Sequence, residues 1–124
     1  MLRFVLSIAV ALALVLGVAA CGGGENDSTA EGAVKAQEAA SELEGDATRG
    51  KKVWTLAGCG ACHTLSASQA KGTSAPNLDD VRPSATLVVD RVALGFQAMP
   101  TYQGLLTPQQ IADVGAYVAE ATRK

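Results

Sequence analysis

The stretch "GCGACHTL", residues 58–65, gathers Cys59, Cys62 and His63 into five consecutive positions, in a chain with 3 cysteines and 1 histidine. Structural zinc needs four ligands, and no second histidine exists to join these three. A thioredoxin-like dithiol places C-x-x-C where a strand runs into a helix, yet no alternating β-branched run precedes residue 59. Covalent attachment of a c-type haem uses all three residues in this order. In a helical turn they stand at i, i+3 and i+4, so their side chains project to one side. Two thiols can then meet two vinyl groups along one edge of the macrocycle, and the histidine that follows lies beneath the ring with Nε2 toward iron. Gly58 and Gly60 keep the loop small where the porphyrin edge passes close to backbone.

Residues 4–20, "FVLSIAVALALVLGVAA", follow the single charge of Arg3 and read as an export signal. At 1.5 Å per residue they fall slightly short of the hydrocarbon thickness, which disfavours but leaves open an uncleaved spanning helix. "VAAC" at 18–21 resembles a bacterial lipobox, in which the cysteine sulfur receives diacylglycerol and Cys21 becomes the mature N-terminus. A plain secretory cut near position 20 is the alternative and would leave Cys21 as an odd thiol outside the cytosol. Haem attachment after export agrees with either route.

From Gly22 to Gly45 the chain is rich in Gly, Ala and Glu and lacks aromatic residues. Over residues 21–45 the acids Glu25, Asp27, Glu31, Glu38, Glu42 and Glu44 face only Lys35, a net of minus five. The expectation is a solvated acidic tether with at most a transient helix over Ala30–Leu43, because no continuous apolar face is present. Its 24 residues, if flexible, reach roughly 27 Å r.m.s.. Residues 46–124 form the domain. Its eight basic and six acidic side chains give a net of plus two, with no basic block interleaved with aromatics, so nucleic-acid binding has little support. With Trp54, Tyr102, Tyr117 and Phe96 as its aromatic residues, so small a domain needs something to help fill its core.

A haem iron held by one histidine has a sixth position. Met99, in "GFQAMPTYQGLL", lies 36 residues after His63, with Gly95 before it and Pro100 after it. A lone methionine is ordinarily core filler. Here Gly and Pro put it on a loop and not on a helix face.

The ordered set "GKKVWTLAGCGACHTL", "SAPNL", "AMPTY" and "LLTPQQIADVGAYVAEAT" resembles the class I cytochrome c family, in particular its small single-haem bacterial members, over Asp46–Lys124. The resemblance implies an all-α, small cytochrome c fold in which N- and C-terminal helices cross and a middle helix and loops wrap one covalent haem. It implies Gly50, Trp54 and Tyr117 at the crossing, Met99 as the sulfur ligand opposite His63, and Pro76 as the carbonyl that accepts the imidazole Nδ1 hydrogen. A turn proline is the plain alternative for Pro76, and Arg82 and Tyr102 are open between haem propionates and solvent. Helix signals agree with that fold. Residues 47–57 carry Val53, Trp54, Leu56 and Ala57 ahead of Gly58. A middle helix over about Ser84–Leu94 bears Leu87, Val88, Val92 and Leu94, and Thr107, Pro108 and Gln110 make a cap, an N1 proline and a capping-box residue before Ile111, Val114, Ala116, Tyr117 and Val118.

Two axial protein ligands leave no open position, so the expected work is one-electron transfer. The expected carrier is exported, anchored through Cys21 on the outer face of the cytoplasmic membrane and served by membrane-bound redox proteins. Its donor would be a quinol-oxidising complex or a dehydrogenase, and its acceptor a terminal oxidase or reductase. A peroxidase-like haem enzyme or gas sensor with an open axial site is the alternative, and the identity of the sixth ligand separates the two.

Overall fold

In the computed structural model, residues 29–123 are described, and five helices carry nearly all of the regular structure. They are α1 (Ala30–Ser41), α2 (Ala47–Leu56), α3 (Leu78–Val81), α4 (Ala85–Leu94) and α5 (Pro108–Ala121). Between α2 and α3 lie a 3-10 turn, Cys59–Ala61, and a two-residue hairpin of β1 (Thr64–Leu65) and β2 (Ala70–Lys71) in the antiparallel register Thr64↔Lys71, Leu65↔Ala70. The described residues are all-α apart from this hairpin, which is the one sheet among them. None of the described helices is long and apolar enough to cross a membrane.

Each long helix begins where a side chain satisfies its free amides. Asp46 accepts from Arg49 N at 2.7 Å to start α2, and Ser84 accepts from Leu87 N at 3.1 Å to start α4. At α5 the capping box forms in both directions: Gln110 N donates to Thr107 Oγ1 at 3.2 Å, and Thr107 N donates to Gln110 Oε1 at 2.9 Å.

The core is a crossing of α2 with α5, with α4 packed on the far side of α5. Ile111, Val114, Tyr117 and Val118 of α5 are buried against Val53 and Trp54 of α2 and Val88, Val89, Val92 and Ala93 of α4. Trp54 and Tyr117 meet edge to face with centroids 6.2 Å apart. Close approach depends on glycine. A Cβ on Gly50 would overlap the Asp113 carbonyl oxygen and stand 2.7 Å from Tyr117 Cβ. Beside the crossing, the buried Asp113 carboxylate accepts from Asp46 N at 2.8 Å, Arg49 Nε at 2.8 Å and Gln109 Nε2 at 2.9 Å. Burial alone would raise its pKa, but these donors together hold the carboxyl below the ordinary carboxylate range.

Two features depart from the sequence reading. Leu56, read with Val53 and Trp54 as an apolar position of the N-terminal helix, is 74% exposed. Residues 30–41, expected within a solvated acidic tether, form α1 and pack on α4 and α5. The reason is the size of its contact face. Gly32, Ala33 and Ala40 are buried there, and small side chains let the helix approach closely without large aliphatics. Gln37 Nε2 adds a 2.7 Å hydrogen bond to Asp90 Oδ1 of α4.

Candidate functional site

The haem-type motif starts where α2 stops. Gly58 takes φ 70, a left-handed conformation that a side chain would strain, and the chain turns into the 3-10 segment. Cys62 N and His63 N both bond to Cys59 O, at 3.2 and 3.1 Å, so the three residues share the single helical turn that their spacing required. Cys59 is half-buried and packs against the core, whereas Cys62 is exposed, and neither is in a disulfide. Burial, aided by the neighbouring Cys62 charge, pushes the Cys59 thiol up against the pull of a backbone hydrogen bond, which favours its neutral form.

His63 Nδ1 lies 2.8 Å from the Pro76 carbonyl oxygen. A carbonyl can only accept, so Nδ1 carries the hydrogen. In the neutral ring the free lone pair then belongs to Nε2, at the far end of the imidazole. Pro76 is positioned by a strap over the motif that the sequence reading missed. Ala75 N donates to Cys62 O at 3.0 Å, and Thr64 Oγ1 donates to Gly72 O at 2.8 Å. Gly72 presses flat on the Cys62–His63 peptide: a Cβ there would stand 2.7 Å from Cys62 N and from His63 N. The signal was the glycine of "KGTSAP", meaningful only once the strap is known to fold back.

Met99 is half-buried and packs against the same core cluster as Cys59, Leu78 and Tyr102. Gly95, at φ 74, turns the chain out of α4, and Phe96 and Met99 exchange backbone hydrogen bonds at 3.0 and 2.9 Å. The Arg91 guanidinium covers the Phe96 ring at 3.9 Å. Tyr102, three residues on, is half-buried. Burial raises its pKa. Arg82 takes the left-handed cap of α3 and bonds the Asp79 carbonyl at 3.3 Å. It lines a depression with Ser84, Ala85 and Arg123 that includes neither the motif nor the Met99 loop. Cys21 lies outside the described residues.

The donor set fits a covalent haem. Two thiols and an imidazole on one turn, with the imidazole's Nε2 free, match two thioether bonds and one axial bond. A thioether sulfur held on a half-buried loop matches the second axial bond. Leu87 and Leu94 of α4, seven residues apart and 38% and 44% exposed, offer an apolar strip against which a macrocycle can lie.

Comparison with known proteins points the same way. A family profile described as "Cytochrome C oxidase, cbb3-type, subunit III" matches residues 45–118. The chain is 37% identical over 84 residues to a cytochrome c6 of Gloeothece citriformis, covering 64% of this chain and 76% of that protein. It is 32% identical over 80 residues to a cytochrome c6 of a Nostoc species, covering 61% and 71%. The crystal structure of the c-type cytochrome SorU from Sinorhizobium meliloti superposes with a TM-score of 0.58 at 32% identity, covering 60% of this chain and 88% of that one.

Proposed function

Since the chain belongs to the cytochrome c family as a mono-haem class I c-type cytochrome, we propose that it shuttles single electrons between membrane-bound redox proteins of a respiratory or related electron-transport chain while tethered to the membrane through Cys21. It carries covalent haem c and acts as an electron carrier, not as an enzyme. Haem c supplies the one-electron couple of its iron.

The protein supplies the rest. In this reading Cys59 and Cys62 would hold the haem through thioether bonds, and His63 nitrogen and Met99 sulfur would ligate its iron. The observation that carries the assignment is the His63–Pro76 hydrogen bond, which fixes the tautomer and leaves the lone pair on Nε2. A carbonyl partner makes the imidazole a stronger donor, while a soft thioether favours ferrous iron and raises the potential. If His63 and Met99 both ligate the iron, no position would be open to substrate or dioxygen, and the protein's task would reduce to setting a potential with little reorganisation. A quinol-oxidising complex or dehydrogenase on the donor side and a terminal oxidase or reductase on the acceptor side suit such a couple.

Docking of α1 changes the proposed anchor. From Cys21 to Thr29 there are eight peptide steps, a contour of at most about 29 Å. A domain joined to an acylated Cys21 therefore works close to the bilayer surface. Mass spectrometry of the mature protein from its native membrane tests the assignment. The expected species starts at Cys21, carries acyl chains and one haem that survives denaturation, and Cys21→Ser moves it to the soluble fraction with its haem spectrum intact. A haem extracted by acid acetone overturns the attachment, and a Cys21→Ser protein still in membranes overturns the anchor.

A further inference from the structure

We infer that the Thr101 hydroxyl is the pin that holds the Met99 sulfur in place, which makes Thr101 a positioning residue for the axial ligand; the inference rests on Met99 being that ligand. The last carbonyls of α4 have no partner within the helix. The Met99 loop caps two of them: Tyr102 N donates to Val92 O at 2.9 Å, and Thr101 Oγ1 donates to Ala93 O at 2.6 Å. Ala93, in the last turn of α4, is fully buried in the core cluster, so its carbonyl is anchored to the packed core. The same Thr101 oxygen accepts from Gln103 N at 3.1 Å. Its one proton is thereby directed to Ala93, and the hydroxyl links the helix to both sides of the turn.

On the other side of Met99 the chain is already fixed. Gly95 N donates to Arg91 O at 2.9 Å, and the Phe96–Met99 pair closes the bend. A Cβ on Gly95 would stand 2.9 Å from Thr101 N, so the two ends of the loop are in contact. Met99 therefore sits in a bend whose first leg is held by the Gly95–Arg91 bond and the Phe96–Met99 pair, and whose second leg is held by the Tyr102–Val92 backbone bond and by the Thr101 hydroxyl. Without the hydroxyl, the Ala93 carbonyl and the Gln103 amide both lose a partner and the second leg loosens. The consequence falls on the iron–sulfur bond more than on the fold, because α4 and α5 keep their packing.

The test compares ferric Thr101→Val, which keeps the shape of the side chain, with Thr101→Ser, which keeps the hydroxyl, using imidazole as a competing ligand. A hydrogen bond of ordinary strength corresponds to about a fivefold larger fraction of protein with sulfur off the iron. Apparent imidazole affinity scales with that fraction, so it should rise about fivefold in Thr101→Val, with a weaker charge-transfer band of sulfur on ferric haem. Thr101→Ala should match Thr101→Val, and Thr101→Ser should return to within about twofold of wild type. Unchanged affinity in Thr101→Val, or equal loosening in Thr101→Ser, overturns the role of the hydroxyl while leaving Met99 as ligand. Absence of the band from the wild type overturns both.

Discussion

Replacing Gly50 by alanine sets two effects of opposite sign against each other. In an isolated helix the change gains about 1 kcal/mol, because glycine loses more backbone freedom and alanine is the best helix former. In this protein the new Cβ overlaps the Asp113 carbonyl oxygen and stands 2.6 Å from the Asp113 carbonyl carbon, where ordinary contact begins at 3.4 Å. The helices must part by at least 0.8 Å, the difference between those two distances. A gap of that size forfeits a quarter to a half of each dispersion well. For on the order of thirty atom pairs at ~0.15 kcal/mol the loss is about 1–2 kcal/mol. Strain from overpacking adds about 1–3 kcal/mol. The net expectation is a loss of roughly 1–4 kcal/mol, which for a domain of this size lowers Tm by on the order of 10 °C. Denaturant unfolding of the haem-loaded protein, followed by Trp54 fluorescence, should show a lower midpoint at unchanged slope. Gly115→Ala, whose Cβ would approach Ala85 O and Val89 Cγ2 at 3.0 Å, should cost less. A Gly50→Ala protein as stable as wild type would refute the reasoning, since helix propensity would then outweigh the crossing.

Two further outcomes follow from the packing around that crossing. Asp113 is held below its unfolded carboxylate range, so its contribution is complete above about pH 4 and is lost as pH falls through the lower folded value. Asp113→Asn should therefore cost roughly 1–3 kcal/mol at pH 7 and show a shallower acid decline than wild type in urea unfolding across pH 2–6; parallel pH profiles would remove Asp113 from the account. Ala40 is 1% exposed under α1, so Ala40→Leu should undock that helix and speed tryptic cleavage at the exposed Lys35 at least about tenfold with the haem spectrum unchanged. Cleavage no faster than wild type would mean that α1 does not depend on this contact.

What the sequence makes legible is chemistry and caps that act over a few residues. Cys59, Cys62 and His63 need only one helical turn to come together, and their spacing says so. Thr107, Pro108 and Gln110 announce α5 because a capping box is local. The docking of α1 was illegible for a physical reason: its contact face consists of Gly32, Ala33 and Ala40, and small residues carry little apolar signal although they pack closely. Leu56 has the opposite lesson, an apolar residue in helical phase that nothing among the described residues covers. Gly72 and Asp113 depend on partners distant in the chain. A glycine pressed on the Cys62–His63 peptide, or a carboxylate waiting for Arg49 from 64 residues away, looks in sequence like any loop glycine or surface acid.

The account turns on the sixth ligand, and carbon monoxide binding to the reduced protein tests it most directly. With Met99 on the iron, wild-type ferrous protein should stay inert to carbon monoxide on the time scale of mixing, and its ferric form should show the charge-transfer band of a sulfur ligand. Met99→Ala should lose that band, bind carbon monoxide at once and fall in potential on the order of 0.1 V through loss of the soft axial donor. Rapid carbon monoxide binding by wild type, with no such band and no change in Met99→Ala, would contradict a closed electron-transfer site.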